Sequence, residues 1–164
     1  MDICLHGALW RTVSTQRAEE WRRVLDELAQ MNRIEPTVPG PEAASLELLQ
    51  TPDGQWQFRL LMDGVRRGAT CSLDSGLFDT HLNEYRMIIE RLALMDREAP
   101  VRGFEALDYA KRVVHDDAAA TLMDALRDLV RMELSDARSL FTLFFLASTD
   151  LPEALVRYHR YHRS

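Results

Sequence analysis

The sequence predicts an α+β fold: a four-stranded, mainly antiparallel sheet, one helix after the first strand, and a C-terminal four-helix bundle. Three observations carry this prediction. Residues 136–146 read DARSLFTLFFL, with six of the last seven side chains apolar, and a helix apolar almost all round has to be buried. Residues 45–73 hold strand-forming segments punctuated by Thr51-Pro52-Asp53-Gly54 and Asp63-Gly64, which is hairpin chemistry. Elsewhere the apolar residues recur at helical spacing.

In chain order, residues 2–13 are rich in strand formers, with Gly7 as a bulge or turn. Ser14 or Thr15 can cap the next segment, where Trp21, Val24, Leu25, Leu28 and Met31 form one helical face. Pro36, Pro39, Gly40 and Pro41 end that helix and make the one clear linker. A short strand over 45–50 follows. Trp56, Phe58, Leu60 and Met62 then alternate with mostly polar residues, and a third strand over 65–73 completes a meander whose edge the N-terminal strand can join.

After Leu73 the pattern turns helical. Asp74 or Ser75 caps a stripe of Phe78, Leu82, Tyr85, Ile88, Ile89, Leu92 and Met95. Beyond Pro100, a helix over 103–115 shows Ala106, Leu107, Ala110, Val113 and Val114 as its apolar face. Asp117 caps a further helix bearing Ala118, Leu122, Ala125, Leu126 and Leu129, and Ser135 caps the buried one. The chain reads as one domain over 1–148, with a β-α-β-β-β part over 2–73 and a helical part over 74–148. Residues 149–164 form a C-terminal extension.

Composition bounds the function. At 164 residues, 46% apolar and 28% charged, the chain can bury one good core. A formal net charge of −6 argues against a general nucleic-acid binder. No apolar run is long enough for a bilayer, and Met1-Asp2-Ile3 lacks a secretory start, so the expected location is cytoplasmic. Cys4 and Cys71 are too few for a disulfide framework and are expected to be small buried hydrophobes. The single lysine is Lys111.

Asp108, Arg112 and His115 stand four and three residues apart, expected on the side opposite the apolar stripe, with Asp116 and Asp117 at the helix junction. A His beside carboxylates can act as a general base or contribute to a metal site. The plainer alternative is a solvated face with an i,i+4 ion pair and a His at a helix C-terminus. There is no HExxH or CxxC, so no metal is implied, and no motif implies a cofactor. The tail repeats RYH. Its Arg157, Tyr158, Arg160, Tyr161 and Arg163 could pair with phosphates and stack on bases, or simply form a loose end.

One family resemblance is carried by Phe104-Glu105-Ala106-Leu107-Asp108, Lys111-Arg112, Val114-His115-Asp116-Asp117, Leu122-Met123-Asp124 with Leu126, and Ala137-Arg138 with Leu140-Phe141-Thr142-Leu143. In order and spacing, residues 78–146 resemble the bacterial uncharacterised protein family UPF0262. Where the family pattern reads Leu-His-Asn-Glu-Gly, this chain has Asp116, Asp117 and Ala118 after its His. The resemblance implies one domain and the α+β order, and brings no activity. It adds Arg138 to Asp108, Arg112, His115 and Asp117 as a polar set, for which a structural role is an Arg138–Asp108 pair holding helices together.

With much core-forming sequence and no convergent catalytic set, the expected function is a non-enzymatic regulatory or adaptor protein. It would bind another protein through its helical part, with a homodimer as the commonest closed assembly. A ligand site or enzyme around His115 is the alternative, and nucleic-acid contact through the tail is the second.

Overall fold

The computed structural model describes residues 1–37, 44–62, 68–98 and 103–160. Strand β1 (Asp2–Leu5) leads through a single turn, α1 (Gly7–Trp10), into α2 (Thr15–Met31). The Ser14 hydroxyl accepts from the Arg17 amide and starts α2. Asn32 ends it in the left-handed region, at φ 44°. Asparagine tolerates that conformation better than most residues, and here its Oδ1 also accepts from the N-terminal ammonium at 2.8 Å.

After β2 (Glu35–Pro36) come β3 (Ala44–Gln50), β4 (Trp56–Met62) and β5 (Thr70–Ser72). The main sheet has the order β1-β3-β4-β5, with β1 parallel to β3 and the other pairs antiparallel. It is therefore a mixed sheet. The connection from β1 to β3 contains a helix, which is what a parallel pairing requires, while β3 and β4 are joined by a tight turn with Gly54 at φ 91°. The expected third strand narrows to β5, and the Asp63-Gly64 turn lies outside the described residues, as do Pro39, Gly40 and Pro41.

The helical half is α3 (Ser75–Glu98), α4 (Phe104–Leu126) and α5 (Leu134–Ser148), then a 3-10 helix over Glu153–Arg160. Between α4 and α5, β6 (Val130–Arg131) pairs with β2. The predicted bundle of four helices is corrected to three. Residues 103–115 and the helix expected from Asp117 are one helix, because buried Phe104, Asp108, Lys111, Ala118, Leu122 and Leu126 keep one helical phase straight through Asp116-Asp117. Asp117 caps nothing there.

Helix α5 is the centre of the core, as its composition requires. Leu140, Phe141, Leu143, Phe144, Phe145 and Leu146 are all buried. Tyr85 of α3 meets Phe145 edge-on at 4.8 Å, and Phe144 reaches Trp56 of the sheet at 5.9 Å. The helix begins earlier than Ser135 suggests: Glu133, two residues before it, is the N-cap, and the Glu133 amide donates to the Asp136 carboxylate at 3.0 Å.

The C-terminal stretch is fastened to the same core. Leu151, Val156 and Tyr158 are buried in it. The Arg17 guanidinium donates to the carbonyls of Leu146, Thr149 and Leu151, and the Ser14 hydroxyl to Glu153 at 2.6 Å.

Candidate functional site

The polar set on α4 does not lie on a solvated face. Asp108 and Lys111 occupy core-facing positions among apolar ones, and Lys111 is only 1% exposed. The Lys111 ammonium donates to the Tyr158 carbonyl at 3.5 Å. Burial pulls its pKa down to about 8, with Asp108 opposing. Arg112 is on the rim and pairs with Asp108 at 2.9 Å, the i,i+4 ion pair that the spacing allows.

His115 sits in mid-helix rather than at a helix C-terminus, its ring between Tyr85 and Phe141 at 5.4 Å and 5.8 Å. Its Nε2 lies 2.9 Å from the Arg138 carbonyl and 3.0 Å from the Thr142 hydroxyl, both on α5. A carbonyl only accepts, so Nε2 carries the proton and the other ring nitrogen is bare in the neutral ring. Burial lowers the pKa to about 4, aided by the charges of Lys111 and Arg138 and opposed by the bond to the Arg138 carbonyl. At neutral pH the ring is uncharged and bound to a neighbouring helix.

The remaining members separate. Arg138 pairs with Asp116 at 2.5 Å, not with Asp108, through side chains that are both well exposed. Asp117 pairs with His81 of α3 at 2.9 Å, away from His115. His81 was not among the residues singled out by spacing. It stands 36 positions from Asp117, and only the packing of α3 against α4 brings the two together. The structure thus joins Asp108 to Arg112 and His115 to the Arg138 backbone, but forms no convergent cluster of all five.

Among the described residues no group of three or more His, Cys, Asp or Glu side chains is placed to hold a metal. Cys4 and Cys71 are free and half-buried; burial and the nearby Glu47 raise the Cys4 thiol to about 11, far from a reactive thiolate. In the tail, the Tyr158 ring is buried and has no face for base stacking. The side chains of Arg157 and Arg160, and all of Tyr161 and Arg163, lie outside the described residues.

Comparison with known proteins extends the match seen in the residues around His115. The model of the family described as "Uncharacterised protein family (UPF0262)" matches residues 1–149. The chain belongs to this family. A UPF0262 protein of Rhizobium meliloti (strain 1021) is 33% identical over 145 residues, 87% of this chain and 89% of that protein. One from Allorhizobium ampelinum is 30% identical over the same shares, and one from Acidiphilium cryptum 27% identical over 87% of this chain and 85% of its own. No solved structure matches this chain.

This UPF0262 chain also leaves large apolar side chains exposed on α3 and α4. On α3, Met87 and Leu94 are 52% and 54% exposed; on α4, Tyr109 and Val113 are 71% and 49% exposed. Seven residues make two helical turns and four make about one, so each pair shares a side of its helix. The two helices pack on each other through Ile88, Leu92 and Phe104. Val113, expected in the core, is outside because the core-facing phase of α4 runs through Asp108, Lys111 and His115. Among the described residues, no helix is long and apolar enough to cross a membrane.

Proposed function

We propose that this UPF0262 protein is a non-enzymatic regulatory or adaptor protein that binds another protein on the outer face of the α3–α4 pair. The observation that carries this reading is the exposure of Met87, Leu94, Tyr109 and Val113 on two adjacent helices. Large apolar side chains left exposed on neighbouring helices are a feature of interaction surfaces, and Tyr and Met are enriched at interfaces. The polar residues around His115 support the same direction, since each is held in a bond within the fold. The occupant that fits is the apolar side of a helix from a cytoplasmic protein.

The test is affinity purification under native conditions with the natural protein and with a Met87→Asp, Val113→Asp double variant. Both substituted side chains are exposed, so circular dichroism should be unchanged. The reading expects one partner in stoichiometric yield with the natural chain and its loss with the variant. Equal recovery by both chains, or turnover of a small molecule with no specific partner, overturns it. Light scattering on the purified protein shows whether the partner is a second copy.

A further inference from the structure

Lys111, the chain's single lysine, takes no part in the exposed α3–α4 surface. It lies on the core-facing side of α4 and is almost wholly buried. The C-terminal 3-10 helix lies against its ammonium. The Tyr158 carbonyl accepts from Nζ at 3.5 Å, long for such a bond.

That segment is built differently from the helices it covers. Its connection to α5 leaves the helix at Thr149 in an extended conformation and runs irregularly through Pro152. Glu153–Arg160 is eight residues of 3-10 helix, a long run for a form whose hydrogen bonds are poorly aligned. The segment therefore holds its shape mainly by docking. It docks on one side: Leu151, Val156 and Tyr158 are buried, whereas Asp150, Pro152, Glu153 and Ala154 are exposed. It packs on α2 and α3. Arg17 and Ser14 fasten its near end, through the Thr149 and Leu151 carbonyls and the Glu153 carboxylate, and Lys111 fastens its far end. Among the described residues it pairs with no strand, so lifting it leaves the sheet and the helix ladders intact.

We infer that residues 151–160 are a latch that opens as a unit while the rest of the fold stays closed, and that the group it gates is the Lys111 amine. Closing takes an ammonium out of water, at a cost that shows in its pKa, lowered by burial to about 8, and that opening returns. Against this cost stand the burial of Leu151, Val156 and Tyr158 and the bonds from Arg17. A terminal element balanced in this way belongs to the low end of local stability. Its opening presents the one side-chain amine of the protein to amine-directed chemistry.

The experiment is acetylation of the full chain by N-hydroxysuccinimide acetate, followed at Lys111 by mass spectrometry in urea concentrations below the unfolding transition. Circular dichroism gives global unfolding under the same conditions, and the chain in strong urea gives the unprotected rate. Lys111 should be labelled about tenfold or more slowly than in the unfolded chain, yet about tenfold or more faster than global unfolding allows. Its dependence on urea should be shallower than that of global unfolding, because less surface is exposed. Val156→Asp removes one apolar anchor of the segment and should speed labelling by about tenfold or more. Labelling that follows global unfolding in both rate and slope overturns the proposal, since the segment then belongs to one cooperative core. Protection already absent in the natural chain overturns it, and so does a rate unchanged by Val156→Asp. Should that variant fail to fold, the rate and urea slope of the natural chain decide alone.

Discussion

The imidazole of His115 is bonded to the main-chain carbonyl of Arg138, 2.9 Å away on the neighbouring helix. That contact fastens α4 to α5 at the level where Tyr85 and Phe141 pack on the ring. A polar group buried there needs a partner, and the carbonyl can be one only while Nε2 carries a hydrogen, in the neutral Nε2–H ring or in the imidazolium. Burial favours the uncharged ring.

Stability should therefore depend on pH through His115. Its folded pKa is about 4 against an ordinary 6.5, so between those values the unfolded chain takes up a proton that the native one refuses. Stability then rises with pH across the window, is fully present above 6.5, and is lost as pH falls toward 4. The full effect is on the order of 3 kcal/mol. Urea unfolding of the natural chain and His115→Asn across this range should give profiles of different slope. Parallel profiles would show that His115 is not the titrating group.

Asp136→Ala should cost about 2 kcal/mol. Its buried carboxylate accepts from the Glu133 amide at 3.0 Å and from Arg33 at 3.2 Å. Removing it leaves the Glu133 amide, at the start of the most buried helix, without its acceptor. The check is the urea midpoint, which should fall with an unchanged slope; a midpoint that does not move would place the start of α5 under other control.

Arg17→Met should loosen the C-terminal segment while sparing the rest. Three carbonyls, of Leu146, Thr149 and Leu151, lose their shared donor, at a cost of about 2 kcal/mol for charge-assisted bonds. Limited proteolysis read by mass spectrometry should release fragments beyond residue 149 sooner than in the natural chain. Equal release rates would mean that Leu151, Val156 and Tyr158 hold the segment by burial alone.

Much of this fold is legible in the residues. The apolar run 140–146 announces a buried helix, and α2 and α3 follow from their spacing. The phase of α4 is not legible, because Asp108, Lys111 and His115 occupy positions where a pattern reading expects hydrophobes. Leu107, Ala110 and Val114 then pass for the core face, although they pack sideways against α3. Asp116-Asp117 imitates a helix boundary for the same reason. The β2–β6 pair has two residues per strand, too short to leave a period. The pairs Asp116–Arg138 and His81–Asp117 exist only through packing between helices, which no spacing within one element encodes.

The central position of α5 has a consequence for how the protein is made. During synthesis α2, the sheet, α3 and α4 all emerge before residues 134–148, yet α2 and α4 both pack on that helix. Until it leaves the ribosome, Trp21, Val24 and Leu28 on one side and Leu122 and Leu126 on another lack the element that completes their shared core. At about 5–20 residues per second, adding the stretch from the end of α4 to the end of α5 takes about 1–4 seconds. The shared core of α2 and α4 can close only once residues 134–148 have left the ribosome, and until then their apolar faces stay open to chaperones and proteases.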